Sequence, residues 1–129
     1  MSGPIPIGAT GSKSWTVDST RTIVRGPVEV FSTPNMVLLM EEAAMVALAP
    51  FITSAQETVG STVDVVHLAA TPLGMTVTAT ATVTGVDRRR VSFDVEARDD
   101  VEVIGRGTHE RFVIELDPFV ARLAKKDQQ

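Results

Sequence analysis

The sequence predicts an α+β fold in which one antiparallel sheet wraps around one long central helix. Two observations carry this. From Met36 to Ala49 the chain is built of good helix formers with hardly a polar residue, and a helix apolar nearly all round belongs inside a protein rather than on a wet surface. Beyond Thr58, long segments alternate apolar and polar residues with period two, the pattern of half-buried strands. The chain has 129 residues, enough for one domain with a real core and too few for two, so residues 1–129 are read as a single domain.

Each element follows in order. Residues 1–12, rich in Gly, Pro and Ser, read as a loose arm able to close over a neighbour. Ser14–Val17 and Thr20–Val24 look like short strands, and Gly26-Pro27 breaks regular structure. Thr33-Pro34 opens the helix, because a threonine oxygen can cap it and proline suits its first turn; Pro50 marks its end. Thr58–Leu68 forms the next strand. In Met75–Thr84 the odd positions Met75, Val77, Ala79, Ala81 and Val83 are apolar, and the even ones are all threonine. Val86–Arg90 turns the chain into a strand where Val91, Phe93, Val95 and Ala97 alternate with Ser92, Asp94, Glu96 and Arg98. Asp99-Asp100 turns it again, into a strand from Val101 to about Leu116.

In that last strand the apolar parity flips. Val101 and Val103 are odd, whereas Phe112, Ile114 and Leu116 are even, so one residue must be absorbed as a bulge. Gly105 or Gly107 is where a bulge costs least. Pro118–Lys126 reads as a terminal helix whose basic last turn suits the helix dipole.

Composition excludes several classes of function. Cysteine is absent, which removes disulfides, thiolate metal sites and a cysteine nucleophile, and fits a reducing compartment. The first ten residues lack a basic segment followed by a long apolar run, so no secretory signal is expected. Met36–Met40 and Ala43–Pro50 are separated by Glu41-Glu42 and fall short of the roughly 20 residues of a membrane span. A cytoplasmic location is expected. The net charge of −4 argues against general nucleic-acid binding, although Arg88-Arg89-Arg90 could meet one phosphorylated ligand. No His-Glu-x-x-His spacing, glycine-rich phosphate loop or Gly-x-Ser-x-Gly elbow occurs. A metal site, a bound cofactor and a serine hydrolase are therefore not expected.

Glu41 and Glu42 are the main anomaly. Either carboxylate lies among Leu38, Met45 and similar neighbours, where burial disfavours the charged form unless it is paired or hydrogen-bonded. Such surroundings poise catalytic carboxylates, and the helix pattern alone leaves the choice between the two open. His67 ends the Val63–Val66 strand and is a candidate acid or base. For His109, beside Glu110 and Arg111, an exposed structural role is expected.

Three stretches together resemble the fluoroacetyl-CoA thioesterase type of hot-dog enzyme: Met36-Val-Leu-Leu-Met-Glu41-Glu-Ala, His67-Leu-Ala-Ala-Thr-Pro-Leu-Gly-Met-Thr-Val-Thr, and Ile104-Gly-Arg-Gly-Thr-His-Glu-Arg111. Their order and spacing match over roughly Thr20 to Lys125. The resemblance implies the hot-dog fold, an acyl-CoA substrate, a homodimer with the ligand cleft at the subunit boundary, and a catalytic set of Thr33, Glu41 and His67. It selects Glu41 over Glu42. It also implies that Gly60 helps hold the thioester carbonyl and that Arg111 is a contact for coenzyme A phosphates. The family's segment before the threonine is longer and phenylalanine-rich. Here Gly26–Val30 is short and leaves Phe31 as the ring beside the acyl group, so the resemblance supports the thioesterase scaffold better than fluoroacetyl selectivity.

The implied chemistry is hydrolysis of a thioester. Glu41 attacks the carbonyl or activates water, His67 protonates the leaving thiolate or orients its neighbours, Thr33 hydrogen-bonds the carboxylate or the water, and Gly60 N–H faces the oxyanion. Eight helical residues span about 12 Å, so Thr33 and Glu41 of one helix do not meet side by side. They can cooperate if Thr33 lies off the helix axis and folds back, if the substrate bridges them, or if a second subunit contributes; the expectation taken forward is that each site draws on two chains. The alternatives are a non-catalytic acyl-CoA or small-ligand binding module, which would tolerate loss of Glu41, and an acyl-thioester dehydratase. The spacing of Thr33 from Glu41 argues for hydrolysis over dehydration.

Overall fold

The computed structural model describes residues 4–128. In chain order it contains β1 (Thr10–Thr16), β2 (Thr22–Arg25), β3 (Val28–Phe31), α1 (Thr33–Leu48), β4 (Gln56–His67), β5 (Thr76–Asp87), β6 (Arg90–Arg98), β7 (Val103–Glu115) and α2 (Leu116–Asp127). Five strands form one antiparallel sheet in the order β1-β5-β6-β7-β4, so β1 and β4 are its edges; β2 and β3 make a separate hairpin. The sheet curls around α1 as the α+β reading expects.

Alternation in the central strands builds the core. Val77, Ala79, Ala81 and Val83 of β5 and Val91, Phe93, Val95 and Ala97 of β6 all face inward and are buried. They meet the buried stripe of α1, which includes Met36, Leu39, Met40, Ala43, Ala44 and Ala47. Small residues let the helix settle close. A Cβ on Gly11 of β1 would lie 2.3 Å from the Ala47 nitrogen and 2.6 Å from the Ala43 oxygen, so only glycine allows this backbone contact. On the outer face the threonine stripe is laddered to β1 through hydroxyl pairs, Ser12–Thr80 at 3.0 Å and Ser14–Thr78 at 2.7 Å.

Several elements depart from the sequence expectation. β1 starts at Thr10, inside the segment read as an arm, and residues 1–3 of that segment lie outside the described residues. Gly26-Pro27 is the turn of a β2–β3 hairpin, with Gly26 at φ +57°, rather than a simple break. The α1 cap is Ser32, whose hydroxyl accepts from the Asn35 backbone N–H at 3.4 Å and its side-chain amide at 2.7 Å. Thr33 is therefore the first helical residue and keeps its hydroxyl free for another partner. Pro50 does not stop the chain abruptly, because Ala49–Phe51 continue as a 3-10 turn. By length and composition alone Thr33–Phe51 could cross a membrane; in this fold its buried stripe is the centre of the core.

The parity of β7 is the largest correction. Ala97 pairs with Gly105 while Arg98 pairs with Val103, so Ile104 is the bulged residue, next to the expected glycine. Beyond it His109, Arg111 and Val113 face inward, Phe112 points out at 37% exposure, and Ile114 and Leu116 are only half-buried. A buried His and Arg are tolerable because α1 and β4 supply their hydrogen-bond partners. The other surprise lies on α1, where Leu38, Met45 and Val46 are 43–44% exposed. They line, with Glu42, Ile52 and Thr58, an open groove of about 600 Å³.

Candidate active site

Two polar clusters sit on α1, separated along the helix by about 12 Å. At its N-terminal end Thr33 Oγ1 and His67 Nδ1 are 2.7 Å apart. Local sequence makes this contact: Ser32 takes over capping, and His67, the last residue of β4, pairs with Gly105 of β7. A Cβ on Gly105 would lie 2.5 Å from the Met36 sulfur, so the Met36 side chain packs against the bare backbone of β7 at this end of the helix. Thr33 is exposed and His67 half-buried behind it. Burial lowers the His67 pKa, opposed in part by the Ala69 backbone. Its Nε2 is buried with no hydrogen-bond partner among the described residues.

Two turns along, Glu41 Oε1 lies 3.1 Å from Arg111 Nη1. A Cβ on Gly60 would come within 2.3 Å of the same Oε1, so the carboxylate rests against β4 where a side chain is missing. The Glu41 side chain is 30% exposed while that of Arg111 is 5% exposed. Arg111 is gripped on three sides. Its Nε donates to Thr58 Oγ1 and its Nη2 to the Thr58 carbonyl, both at 3.0 Å, and Nη1 lies 3.3 Å from His109 Nε2. His109 Nδ1 lies 2.7 Å from the Thr62 carbonyl, and Phe93 stacks on the ring at 5.8 Å between centroids. Among the described residues nothing hydrogen-bonds Glu41 Oε2. Burial draws the Arg111 pKa down, opposed by the charge and hydrogen bond of Glu41.

The structure therefore joins Thr33 to His67 and Glu41 to Gly60 and Arg111, but it does not join the two groups within one chain. Glu42 goes elsewhere, to Lys13 at 3.8 Å. Burial bears on three residues and corrects the expectation for His109. Arg111 is 4% exposed, with its guanidinium on Glu41, Thr58 and His109. Phe31 is 1% exposed and packs edge-on against Trp15. His109 is buried, not exposed. Thr58 and His109 were missed as site residues. The available signal was the His-x-Arg spacing, which puts both side chains on one face of β7 once the bulge is placed before it.

Both histidines prefer the neutral form in the fold, chiefly because of burial, which lowers each pKa from 6.5. The unfolded chain therefore binds more protons near and below that value. Stability is full above pH 6.5 and falls as the pH drops through it. Thermal melts between pH 8 and 5 should show a declining Tm below about 6.5, with a shallower decline in His109→Gln; a flat Tm over that window would contradict both placements.

The sequence and the fold find relatives. The family model described as fluoroacetyl-CoA-specific thioesterase matches residues 13–117. A fluoroacetyl-CoA thioesterase from Streptantibioticus cattleyicolor is 48% identical over 98 residues, 76% of this chain and 70% of the relative. A solved structure of the fluoroacetyl-CoA thioesterase FlK superposes with a TM-score of 0.88 at 38% identity, covering 96% of this chain and 98% of that one. A thioesterase superfamily member from Thermus thermophilus superposes with a TM-score of 0.89 at 28% identity, covering 97% and 95%.

Proposed function

The chain belongs to the fluoroacetyl-CoA-specific thioesterase family, with the hot-dog fold and thioester-hydrolase activity on acyl-CoA, and from that premise we propose that Glu41, Thr33 and His67 carry the reaction across two copies of the chain. The observation that carries the proposal is their separation. Thr33 and His67 are paired at the N-terminal end of α1, and Glu41 lies two turns further along it, against Gly60 and Arg111, with both clusters beside the open edge strand β4.

That edge supports a two-fold partner. Val63, Val66 and Leu68 are 39%, 54% and 51% exposed along it, more apolar surface than an unprotected edge usually leaves open. Antiparallel pairing of β4 with its own copy, about a two-fold near the middle of the strand, brings the Gly60 end of one copy toward the His67 end of the other. The Glu41 carboxylate resting on Gly60 then faces the Thr33–His67 pair from across the boundary. The homodimer has two identical sites.

In the reaction, the free Oε2 of Glu41 attacks the thioester carbon or takes a proton from an attacking water. The carbonyl electron pair moves to oxygen, where the backbone N–H of Gly60 is the proposed donor. The C–S bond then breaks, and the coenzyme thiolate leaves with a proton passed through the Thr33 hydroxyl, which His67 backs. If Glu41 is the nucleophile, water hydrolyses the resulting anhydride and restores the carboxylate. The products are the free acid and CoA.

Coexpressing Glu41→Ala and His67→Ala chains tests the shared site. Each mixed dimer regains one intact site, so an equal mixture should recover about a quarter of wild-type thiol release although neither variant works alone. Activity no higher than that of the two variants separately would reject the two-chain arrangement.

A further inference from the structure

Resting on that reading, we propose that His109, held as its Nδ1–H tautomer, is a positioning residue for the hydrolysis: it fixes Arg111, and through Arg111 the Glu41 carboxylate. The tautomer follows from its neighbours. The Thr62 carbonyl can only accept, so the nitrogen 2.7 Å from it, Nδ1, carries the proton. Arg111 Nη1 can only donate, so the nitrogen 3.3 Å from it, Nε2, presents a lone pair. A second proton on the ring would set N–H against N–H beside a buried guanidinium.

The groups around His109 come from every layer of the fold: Arg111 and Glu110 from β7, Glu41 from α1, Thr62 from β4 and Phe93 from β6. The ring is 1% exposed, so water cannot replace the missing acceptor if it is removed. Nη1 has two protons. One goes to Glu41 Oε1 and the other to His109 Nε2, while Thr58 takes Nε and Nη2. The guanidinium plane is thereby set by four contacts, and Oε1 is held so that Oε2 alone remains for chemistry. His109 touches no reacting atom; its influence passes through Arg111.

Two substitutions separate this role from packing. Asparagine places an amide near the Nδ1 position and can still donate to Thr62, but it leaves Arg111 Nη1 without an acceptor. Glutamine reaches the Nε2 position and can present its oxygen to Arg111. We expect His109→Asn to lower kcat by about tenfold or more with KM changed less than about threefold, since misplacing a reacting group by about an ångström costs up to about 100-fold. His109→Gln should stay within about threefold of wild-type kcat. Wild-type kcat in His109→Asn, or equal losses in both variants, would overturn the inference. If His109→Asn does not fold, nitrogen NMR of the wild-type ring decides: a protonated Nδ1 and bare Nε2 from pH 6 to 8 are expected, and the opposite tautomer or an imidazolium overturns it. Glu41→Ala serves as the separate control. Hydrolysis that survives it defeats the catalytic reading itself, whereas hydrolysis lost there but untouched by His109→Asn defeats only the role given to His109.

Discussion

Glu41→Gln should lower kcat for acyl-CoA hydrolysis by about a thousandfold, the scale of losing a nucleophile or general base. Glutamine keeps the shape and can still accept from Arg111 Nη1, so KM and the overall fold should change little. What disappears is the oxygen able to attack or to take a proton. Release of free thiol, followed across short and aromatic acyl-CoA substrates, reads the effect directly. The internal comparison is Glu42→Gln. Among the described residues Glu42 pairs with Lys13, at 3.8 Å with the lysine side chain 47% exposed, and such surface pairs contribute about 0–1 kcal/mol. Its replacement should leave kcat nearly unchanged. Activity within tenfold of wild type for Glu41→Gln would remove Glu41 from the reaction.

Arg111→Met should be the most destabilising single change at the site. It leaves Glu41, the Thr58 carbonyl and His109 Nε2 without their shared partner in a region where Arg111 itself is 4% exposed. Removing one member of a largely buried pair costs about 3–5 kcal/mol. For a domain of this size that lowers Tm by roughly 10–20 °C. Arg111→Lys should recover part of the stability but little of the activity. An ammonium supplies charge without the planar fork that reaches Thr58, His109 and Glu41 together. A melting temperature within about 3 °C of wild type for Arg111→Met would show that the network contributes little.

The helix and the central strands were legible because their patterns are long and undisturbed: the apolar run from Met36, and threonine at every second position of β5. Elements held by few or mixed signals were harder. The β2–β3 hairpin has only four residues in each strand, too few for alternation to be visible. The face of β7 was misassigned because the buried set there is His109, Arg111 and Val113, two of them polar, while Phe112 looks outward. Reading hydrophobicity alone picks the wrong side of such a strand, since a polar group becomes an inside residue only when distant partners satisfy it. Those partners, Glu41 on the helix and Thr58 and Thr62 on β4, lie at least 47 residues away in the sequence. Glu41 itself stood out because it interrupts a greasy helix. Its preference over Glu42, and the pairing of Thr33 with His67, came from the family resemblance.

The open margin of β4 also bears on how copies of the chain behave as a population. An unsatisfied row of backbone groups is an adhesive, and on its own it would recruit any extended segment, including the wrong one. The proposed self-pairing about a two-fold would consume that row on both copies at once and leave β1 as the remaining edge of each sheet. A surplus of solitary chains, produced by dilution or by a charge engineered into the middle of the strand, would be idle and would also be prone to clump.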